Sequence, residues 1–337
     1  MTPTTIAQIS RLELQDLSTP LVATITDVKQ LSPYNWIEAR SPTIAVPGTP
    51  PLWSAPGGPW QLKKDSGLIY IAQNAARHPD KVTKNTAIFC RDETATQEFI
   101  GPDEFKGYGR EFEKAYTTRQ IGASTGHHRI VTYRFGGLNF IVRHETDGYV
   151  DTDTRIPSSD AKGPESDSLS KGQMISLKST LELKTRVFHK RIEFHEVAPQ
   201  LWISQTPKLV RAYHRRGTFP VPEVEDVAAD IKTWEEGNQR DLRKLAALIS
   251  KIIGVVKGCG GNALSSMIYW EINWADSEAS SDNDVAAVKP VDGIESKPDG
   301  KSDTTGKHES ATNCKSSPPW KKNLVEVLNY DSSSLDT

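Results

Sequence analysis

The sequence predicts an α+β protein with a mixed central β-sheet flanked by helices. Residues 130–135 and 138–144 alternate apolar and polar side chains around Gly136-Gly137, which predicts a β-hairpin. Residues 179–186 alternate in the same way and predict a further strand. Stretches with helical spacing lie before and after these strands. We therefore expect helices packed against one sheet.

The helices are predicted at three places. Residues 110–116 carry apolar side chains four apart on one side. Residues 196–205 predict a helix that is entered through Pro199 in its first turn. From residue 224 to 256 apolar side chains recur at helical spacing on both sides of a break at Gly237, and we interpret this stripe as core packing.

Length and composition predict one folded domain with flanking segments. The chain has 337 residues, of which 36% are hydrophobic, enough for a core of about 200 to 250 residues. We assign 1–30 to an N-terminal lead-in and 31–275 to the domain, with a polar insertion at 151–172. Residues 31–66 are rich in proline and glycine and predict irregular structure. Residues 276–337 have little to bury and predict a disordered tail.

Charge and cysteine content indicate in which cellular compartment the protein is expected. The formal net charge is −2 and the three cysteines lie far apart, so a disulfide scaffold and a structural zinc are both disfavoured. No apolar run has the length of a signal peptide core or a membrane span. We expect a soluble intracellular protein, nuclear or cytoplasmic, without a membrane partner. Residues 178–216 are locally basic, which favours a phosphate-backbone substrate, with a solvated charged surface as the alternative.

Acidic residues and a lysine follow two of the predicted strands. Glu145 and Asp147 end the second hairpin strand, and Glu182 and Lys184 lie on the third. Residues i and i+2 of a strand face the same side, so these side chains can surround one point. Asp147 and Glu182 would hold a hard cation such as Mg²⁺, together with the carbonyl of Leu183. Glu145 would be a second-metal or water-mediated ligand, and Lys184 would orient the attacking water or stabilise charge on phosphorus. The pattern predicts a metal site for cutting phosphodiesters.

The Glu-x-Lys pattern also has a purely structural interpretation. Such a pair is common in chains of this length and usually forms a salt bridge on a strand edge. Here Leu181 and Leu183 flank the charged residues in alternation, which places Glu182 and Lys184 on the face opposite the leucines. That context favours the functional interpretation.

A second candidate nucleophile lies at Ser124. Residues 122–126 match Gly-x-Ser-x-Gly, the turn that exposes the serine of some hydrolases. That turn needs a buried strand before it and a helix after it, whereas polar residues precede it here and a strand-like stretch follows. A flexible loop is the favoured interpretation, and a serine hydrolase stays open as an unlikely alternative. We interpret His127 and His128 as a loop dyad that contacts phosphate.

The order of five short motifs resembles the DXO-type decapping nucleases, eukaryotic enzymes that remove defective RNA 5′ ends and belong to the PD-(D/E)XK nuclease superfamily. The resemblance covers about residues 30–275, and the chain looks like a divergent fungal paralogue. The motifs are Arg91 after an apolar strand, Gly107-Tyr108 leading into Phe112-Glu113, Glu145-Thr146-Asp147, Glu182-Leu183-Lys184-Thr185 and Trp202-Ile203-Ser204-Gln205. The chain departs from the family at His144, where the family has glycine.

The resemblance implies further residues of the site. Arg91 would lie near the RNA 5′ phosphate, Glu113 would be the first acidic metal ligand, and Gln205 would lie near the scissile phosphate. It implies a PD-(D/E)XK nuclease-like fold, Mg²⁺ or Mn²⁺ as cofactor, and a metal-dependent RNA 5′-end hydrolase. That hydrolase would act in decapping, as a pyrophosphohydrolase or as a 5′–3′ exonuclease.

The partners follow from the same resemblance. They would be the RNA 5′ end and a 5′–3′ exoribonuclease. The alternative is a catalytically degenerate protein that binds RNA ends or another nuclease.

Overall fold

The structure is a computed structural model that describes residues 9, 13–70, 86–89, 97–101, 104, 106–151, 172–258 and 326–329. In that part of the chain a seven-stranded antiparallel sheet and a six-stranded mixed sheet occur together with four α-helices. Two further sheets have two strands each. The predicted α+β class is therefore confirmed, although the strands form separate sheets rather than one.

The elements follow one another along the chain with short strands at the beginning and long helices near the end. The strands are β1 (Thr26–Gln30), β2 (Tyr34–Ile37), β3 (Thr43–Ala45), β4 (Leu52–Trp53), β5 (Trp60–Gln61), β6 (Gly67–Tyr70), β7 (Ala87–Phe89), β8 (Gln97–Ile100), β9 (Thr117–Thr118), β10 (Ser124–Phe135), β11 (Leu138–Glu145), β12 (Gly148–Tyr149), β13 (Thr180–Val187), β14 (Lys208–His214), β15 (Thr218–Phe219), β16 (Glu225–Asp226) and β17 (Glu326–Asn329). The helices are α1 (Gly109–Tyr116), α2 (Phe194–Ser204), α3 (Ala228–Gly237) and α4 (Gln239–Gly258), with a 3-10 turn at Leu177–Ser179.

The seven-stranded sheet is built on the predicted hairpin. Its order is β3-β2-β10-β11-β17-β7, and β1 pairs with β10 as well. The hairpin turns at Gly136 and Gly137, whose φ angles of +56° and +83° glycine adopts without a Cβ clash. β10 begins at Ser124, earlier than the alternation of residues 130–135 indicates, so His127 and His128 lie in a strand and not in a loop.

The expectation of irregular structure in residues 31–66 is wrong in part. Residues 31–66 contain β2 to β5 rather than irregular structure alone, because the backbones of β2 and β3 are completed by pairing with each other and with β10. Inside the tail that was expected to be disordered, β17 pairs with β11 and β7. Four residues are too few for a readable pattern, and their hydrogen bonds come from distant strands.

The mixed sheet has the order β16-β14-β13-β12-β4-β9. β13 is a central strand, antiparallel to β12 and parallel to β14. Parallel neighbours need a crossover connection, and α2 supplies it. The predicted third strand therefore lies inside a sheet, with a neighbour on each side.

The helix boundaries follow from capping. Glu193 and Glu196 form a capping box, so α2 begins at Phe194 and Pro199 lies inside the helix, not in its first turn as predicted. The break predicted at Gly237 is present, since α3 ends there and α4 follows. Among the described helices, none combines the length and the apolar character that crossing a membrane requires.

Three apolar clusters hold these elements together. The first lies between the hairpin and the helices, where Val131 and Phe140 pack with Trp202 and Ala246. The second joins α1 to the mixed sheet, and the third joins α2 to the opposite face of that sheet. α2 therefore packs on both larger sheets.

Candidate functional site

Strand β13 separates apolar from charged side chains. Leu181 and Leu183 are buried in the cluster that contains Phe112 of α1. Glu182 and Lys184 lie on the other face, because side chains alternate along a strand. Glu182 is opposite Leu209 in the parallel register, and Leu209 packs in the cluster formed with α2. The charged pair is thus enclosed and does not lie on a strand edge.

Glu182 and Lys184 form a buried ion pair. Lys184 Nζ donates to Glu182 Oε1 at 2.7 Å, and the two side chains are 12% and 4% exposed. Burial lowers the pKa of Lys184, but the carboxylates of Glu182, Asp147 and Glu113 act in the opposite direction and the pKa is raised overall. The ammonium group therefore stays charged at neutral pH.

Asp147 lies between β11 and β12 and contacts the same strand. Its Oδ2 accepts a hydrogen bond from the backbone N–H of Leu183 at 2.8 Å. Burial, and then the negative charges of Glu182 and Glu113, hold the pKa of Asp147 well above its usual range, while Lys184 and the Leu183 N–H act against this shift. The fold therefore brings Glu113, Asp147, Glu182 and Lys184 from three separate elements into electrostatic contact. We call these residues the acidic group.

The acidic group matches a divalent cation in its chemistry. Carboxylate oxygens are the donors that Mg²⁺ and Mn²⁺ prefer, and three carboxylates beside one ammonium leave an excess of negative charge. In the described part of the chain, however, no three His, Cys, Asp or Glu side chains are arranged to hold a metal ion. The donor types fit, but the ligand set is not closed. Leu183 contributes its N–H, and the role expected for its carbonyl stays a prediction.

Two other predicted residues, Glu145 and Gln205, do not join this group in the structure. Glu145 is exposed at the end of β11 and is not among the charges that shift the pKa of Asp147 or Lys184. The strand stops at Glu145, so the alternation that was expected to align it with Asp147 is lost. Gln205 ends α2 in the left-handed conformation, φ +54°, and its side-chain amide donates to the carbonyl of Trp202. Arg91 lies outside the described residues.

The basic segment 178–216 is partly neutralised. Three of its cations form ion pairs with acidic side chains of neighbouring elements, and these pairs are Arg186–Glu196, Lys208–Asp226 and Arg211–Glu225. These pairs interrupt the basic face that was expected beside the acidic group. Within the described residues, the segment's cations in the turns that follow β13 and β14 form no such pair, and they are Lys190, Arg191, Arg215 and Arg216.

Ser124 does not have the surroundings of a nucleophile. It is the first residue of β10, it is buried, and its Oγ accepts a hydrogen bond from Nδ2 of Asn35 at 2.8 Å. His127 Nδ1 lies 3.0 Å from Oδ1 of the same asparagine. A strand, and not a helix, follows the serine. The structure therefore gives no support to the serine hydrolase alternative.

A buried basic cluster was not anticipated from the sequence. Arg129 is 1% exposed, and the side-chain nitrogens of its guanidinium group have no hydrogen-bond partner in the described chain. His144 lies directly opposite it on β11, and His127 lies two residues before it. Burial lowers the pKa of Arg129 to about 9, and burial together with Arg129 lowers the pKa of His144 to about 3. The signal was present in the alternation of β10, where His127 and Arg129 continue the buried face of Val131.

Fold and site together define an α+β protein with a buried carboxylate–lysine group on the central strand of a mixed sheet. The chain belongs to the family described as Domain of unknown function (DUF8563), whose model matches residues 80–280. No curated protein matches its sequence.

Two solved structures are distantly similar. Rai1 of Candida albicans in complex with pU5-Mn²⁺ has a TM-score of 0.30 and 13% identity over 43% of this chain and 43% of that chain. Rai1 of Scheffersomyces stipitis in complex with (3′-NADP)⁺ and calcium ion has a TM-score of 0.30 and 15% identity over 43% and 41%. The matched part spans less than half of either structure.

Proposed function

We propose that the chain is a divalent-metal-dependent hydrolase of RNA 5′ ends. The observation that carries this proposal is the buried group on β13, where Lys184 donates to Glu182 and Asp147 accepts from the N–H of Leu183. The charge of Glu113 on α1 also acts on this group and raises the pKa of Asp147. Crowded carboxylates are unfavourable unless a cation offsets them. Structural ion pairs do not need the additional acids, whereas a metal site does.

The residues would divide the chemistry as follows. Asp147 and Glu182 would hold Mg²⁺ or Mn²⁺, with Glu113 as a further ligand. When bound, the metal would lower the pKa of a coordinated water and offset charge on phosphorus. Lys184 already donates to Glu182, and it would stabilise the negative charge that develops on the phosphate.

Several parts of the proposal extend beyond the acidic group. Arg91 would bind the 5′-terminal phosphate through bidentate hydrogen bonds from its guanidinium group. Glu145 would act through a water, and Gln205 would have to release the carbonyl of Trp202 before it could orient the attacking water. The motif order places the substrate at an RNA 5′ end. The reaction would then be decapping, pyrophosphohydrolysis or 5′–3′ exonucleolysis, on a PD-(D/E)XK nuclease-like fold.

A second candidate is a catalytically degenerate protein that binds RNA ends or a 5′–3′ exoribonuclease. It is favoured by one observation, that no closed set of three ligands is found in the described residues. The buried pair of Glu182 and Lys184 would then serve the fold alone. Binding without any product, in the presence of Mn²⁺, is the result that supports this candidate.

The test uses purified full-length chain and RNAs with capped, triphosphorylated, monophosphorylated or NAD-linked 5′ ends, with Mg²⁺, Mn²⁺ or a chelator. We expect metal-dependent release of a 5′ product, lost in Asp147→Asn and Glu182→Gln. Glu196→Gln is the matched control. It also removes the carboxylate of an ion pair, the one that Glu196 of α2 forms with Arg186 of β13, outside the acidic group. Full activity of both site variants would refute the assignment. Product formed by all proteins in chelator would indicate a contaminant.

A further inference from the structure

A surface at the carboxyl ends of β13 and β14 carries exposed aromatic and basic side chains. The strands are parallel neighbours, so β13 ends at Val187 beside the end of β14 at His214. The backbone N–H of Phe188 donates to the carbonyl of His214 at 3.0 Å. The turns that follow the two strands are therefore joined.

The second turn has a defined geometry. Arg215 and Thr218 exchange backbone hydrogen bonds of 3.0 Å, which close a two-residue hairpin turn between them. Arg216 and Gly217 occupy the turn with φ angles of +52° and +88°, the pattern of a type I′ turn. Gln61 of β5 donates its side-chain amide to the carbonyl of Arg216 at 3.1 Å, which holds β5 against this turn.

Two aromatic rings are exposed on these elements. Trp60 lies opposite Phe219 in the pairing of β5 with β15 and is 52% exposed. Phe188 is 44% exposed, and the Cζ of Arg215 lies 3.7 Å from the centroid of its ring. Exposed rings of this kind, paired with a guanidinium plane, are stacking surfaces for unpaired bases.

The cations of the same turns have no acidic partners among the residues that the structure describes. Lys190, Arg191, Arg215 and Arg216 are exposed, and none of them forms an ion pair within the described chain. Glu193 is the exposed carboxylate nearest to them along the sequence. The surface therefore has a local positive field, although the whole chain is slightly acidic.

Arg216 is held in an unfavourable backbone conformation. Positive φ values suit glycine, asparagine and aspartate, and they strain other residues. Arginine at the apex of a type I′ turn therefore costs stability and at the same time projects a guanidinium group into solvent. A strained residue that points a functional group outward is typical of a binding site.

We propose that this surface binds single-stranded RNA. Its cations would contact the sugar–phosphate backbone, and its rings would stack on bases, which are accessible only in a single strand. Phe188 follows the end of β13, six residues beyond Glu182, which corresponds to about 20 Å at the rise of a strand. The surface would therefore hold the body of an RNA and not its reacting end. We define it by Trp60, Phe188, Lys190, Arg191, Arg215 and Arg216, and call it the turn surface.

The experiment measures fluorescence anisotropy of a short 3′-labelled oligouridine RNA with the full chain in chelator. We expect Arg216→Asn to weaken binding about three- to tenfold and to reduce the slope of log K against log salt by about 0.7. Its melting temperature should equal or exceed that of the unchanged chain, because asparagine tolerates the turn. Trp60→Ala should weaken binding at least about fivefold. Arg119→Asn is the matched control, since Arg119 follows β9 at the far edge of the same sheet.

Three results would overturn the proposal. The first is unchanged binding in both Arg216→Asn and Trp60→Ala, and the second is an equal loss in Arg119→Asn. The third is equally tight binding of duplex RNA or equal competition by polyglutamate, which would show an unselective cationic surface or an acidic protein partner. Because chelator prevents metal-dependent cleavage, failure here leaves the hydrolase proposal untouched. The cleavage assay, in turn, can fail without affecting this one.

Discussion

Replacement of Lys184 by methionine should destabilise the protein strongly. The substitution keeps the length of the side chain but removes the ammonium that lies 2.7 Å from Glu182 Oε1. At an effective dielectric constant of about 20, that separation corresponds to a gross attraction of about 6 kcal/mol. Desolvation offsets part of it, and removal of one partner from a buried pair costs about 3 to 5 kcal/mol. We expect a loss in that range.

The same strand offers a matched control. Arg186 forms an ion pair of the same length with Glu196, but the two side chains are 25% and 27% exposed. Arg186→Met should cost less than about 1 kcal/mol, because water screens the pair. The double variant Glu182→Leu/Lys184→Met should recover part of this loss, since Glu182 no longer stays buried as a charge without its partner.

Urea unfolding followed by tryptophan fluorescence and circular dichroism measures these differences as changes in the free energy of unfolding. Divalent metal should stabilise the unchanged chain, by about 2.7 kcal/mol at a hundredfold excess over its dissociation constant. Equal stabilities of Lys184→Met and Arg186→Met would refute the conclusion that the ion pair of Glu182 and Lys184 is enclosed. The acidic group would then be open to solvent, and its charges would be screened.

Three further predictions concern the buried charges. Asp147→Asn should raise stability at neutral pH while abolishing metal-dependent hydrolysis; because the pKa of Asp147 is raised on folding, the gain should grow as pH rises from the ordinary carboxyl pKa up to the raised pKa and level off above it, and a pH series of urea melts checks it. Arg129→Met should increase the free energy of unfolding by about 1 to 3 kcal/mol, since it removes unsatisfied buried donors; a lower midpoint in urea would contradict this. Acid should destabilise the chain as pH falls from about 6.5 towards 3, because the pKa values of His128 and His144 fall to about 3 on folding and both imidazoles bind protons in the unfolded chain first; His144→Asn should make the loss shallower in a pH series of urea melts.

The sequence predicted the local elements best where a long pattern was present. The hairpin around Gly136, the alternation of residues 179–186 and the break at Gly237 all have the predicted type. Short strands were missed. β2, β3 and β17 have three or four residues each, and their backbones are satisfied by strands far away in the chain.

In the site, too, local patterns were predictable from the sequence and distant contacts were not. The alternation around Leu181 and Leu183 was enough to place Glu182 and Lys184 on one face. It did not show that Lys184 would be paired internally, nor that Glu145 would face away from Asp147. The two residues that follow β11 leave the strand conformation, and a period of two holds only while pairing continues.

Residue identity and periodicity thus determined the α+β class, the helix break and the side of β13 that carries charge, because these depend on neighbours within a few positions. Only the tertiary structure decided that the charge of Glu113 would act on Asp147, that Arg129 would be buried without an acidic partner among the described residues, and that the turns after β13 and β14 would meet. Such approaches depend on register and on the crossover through α2. Local preferences cannot set them, because the contacting groups are separated by long stretches of chain.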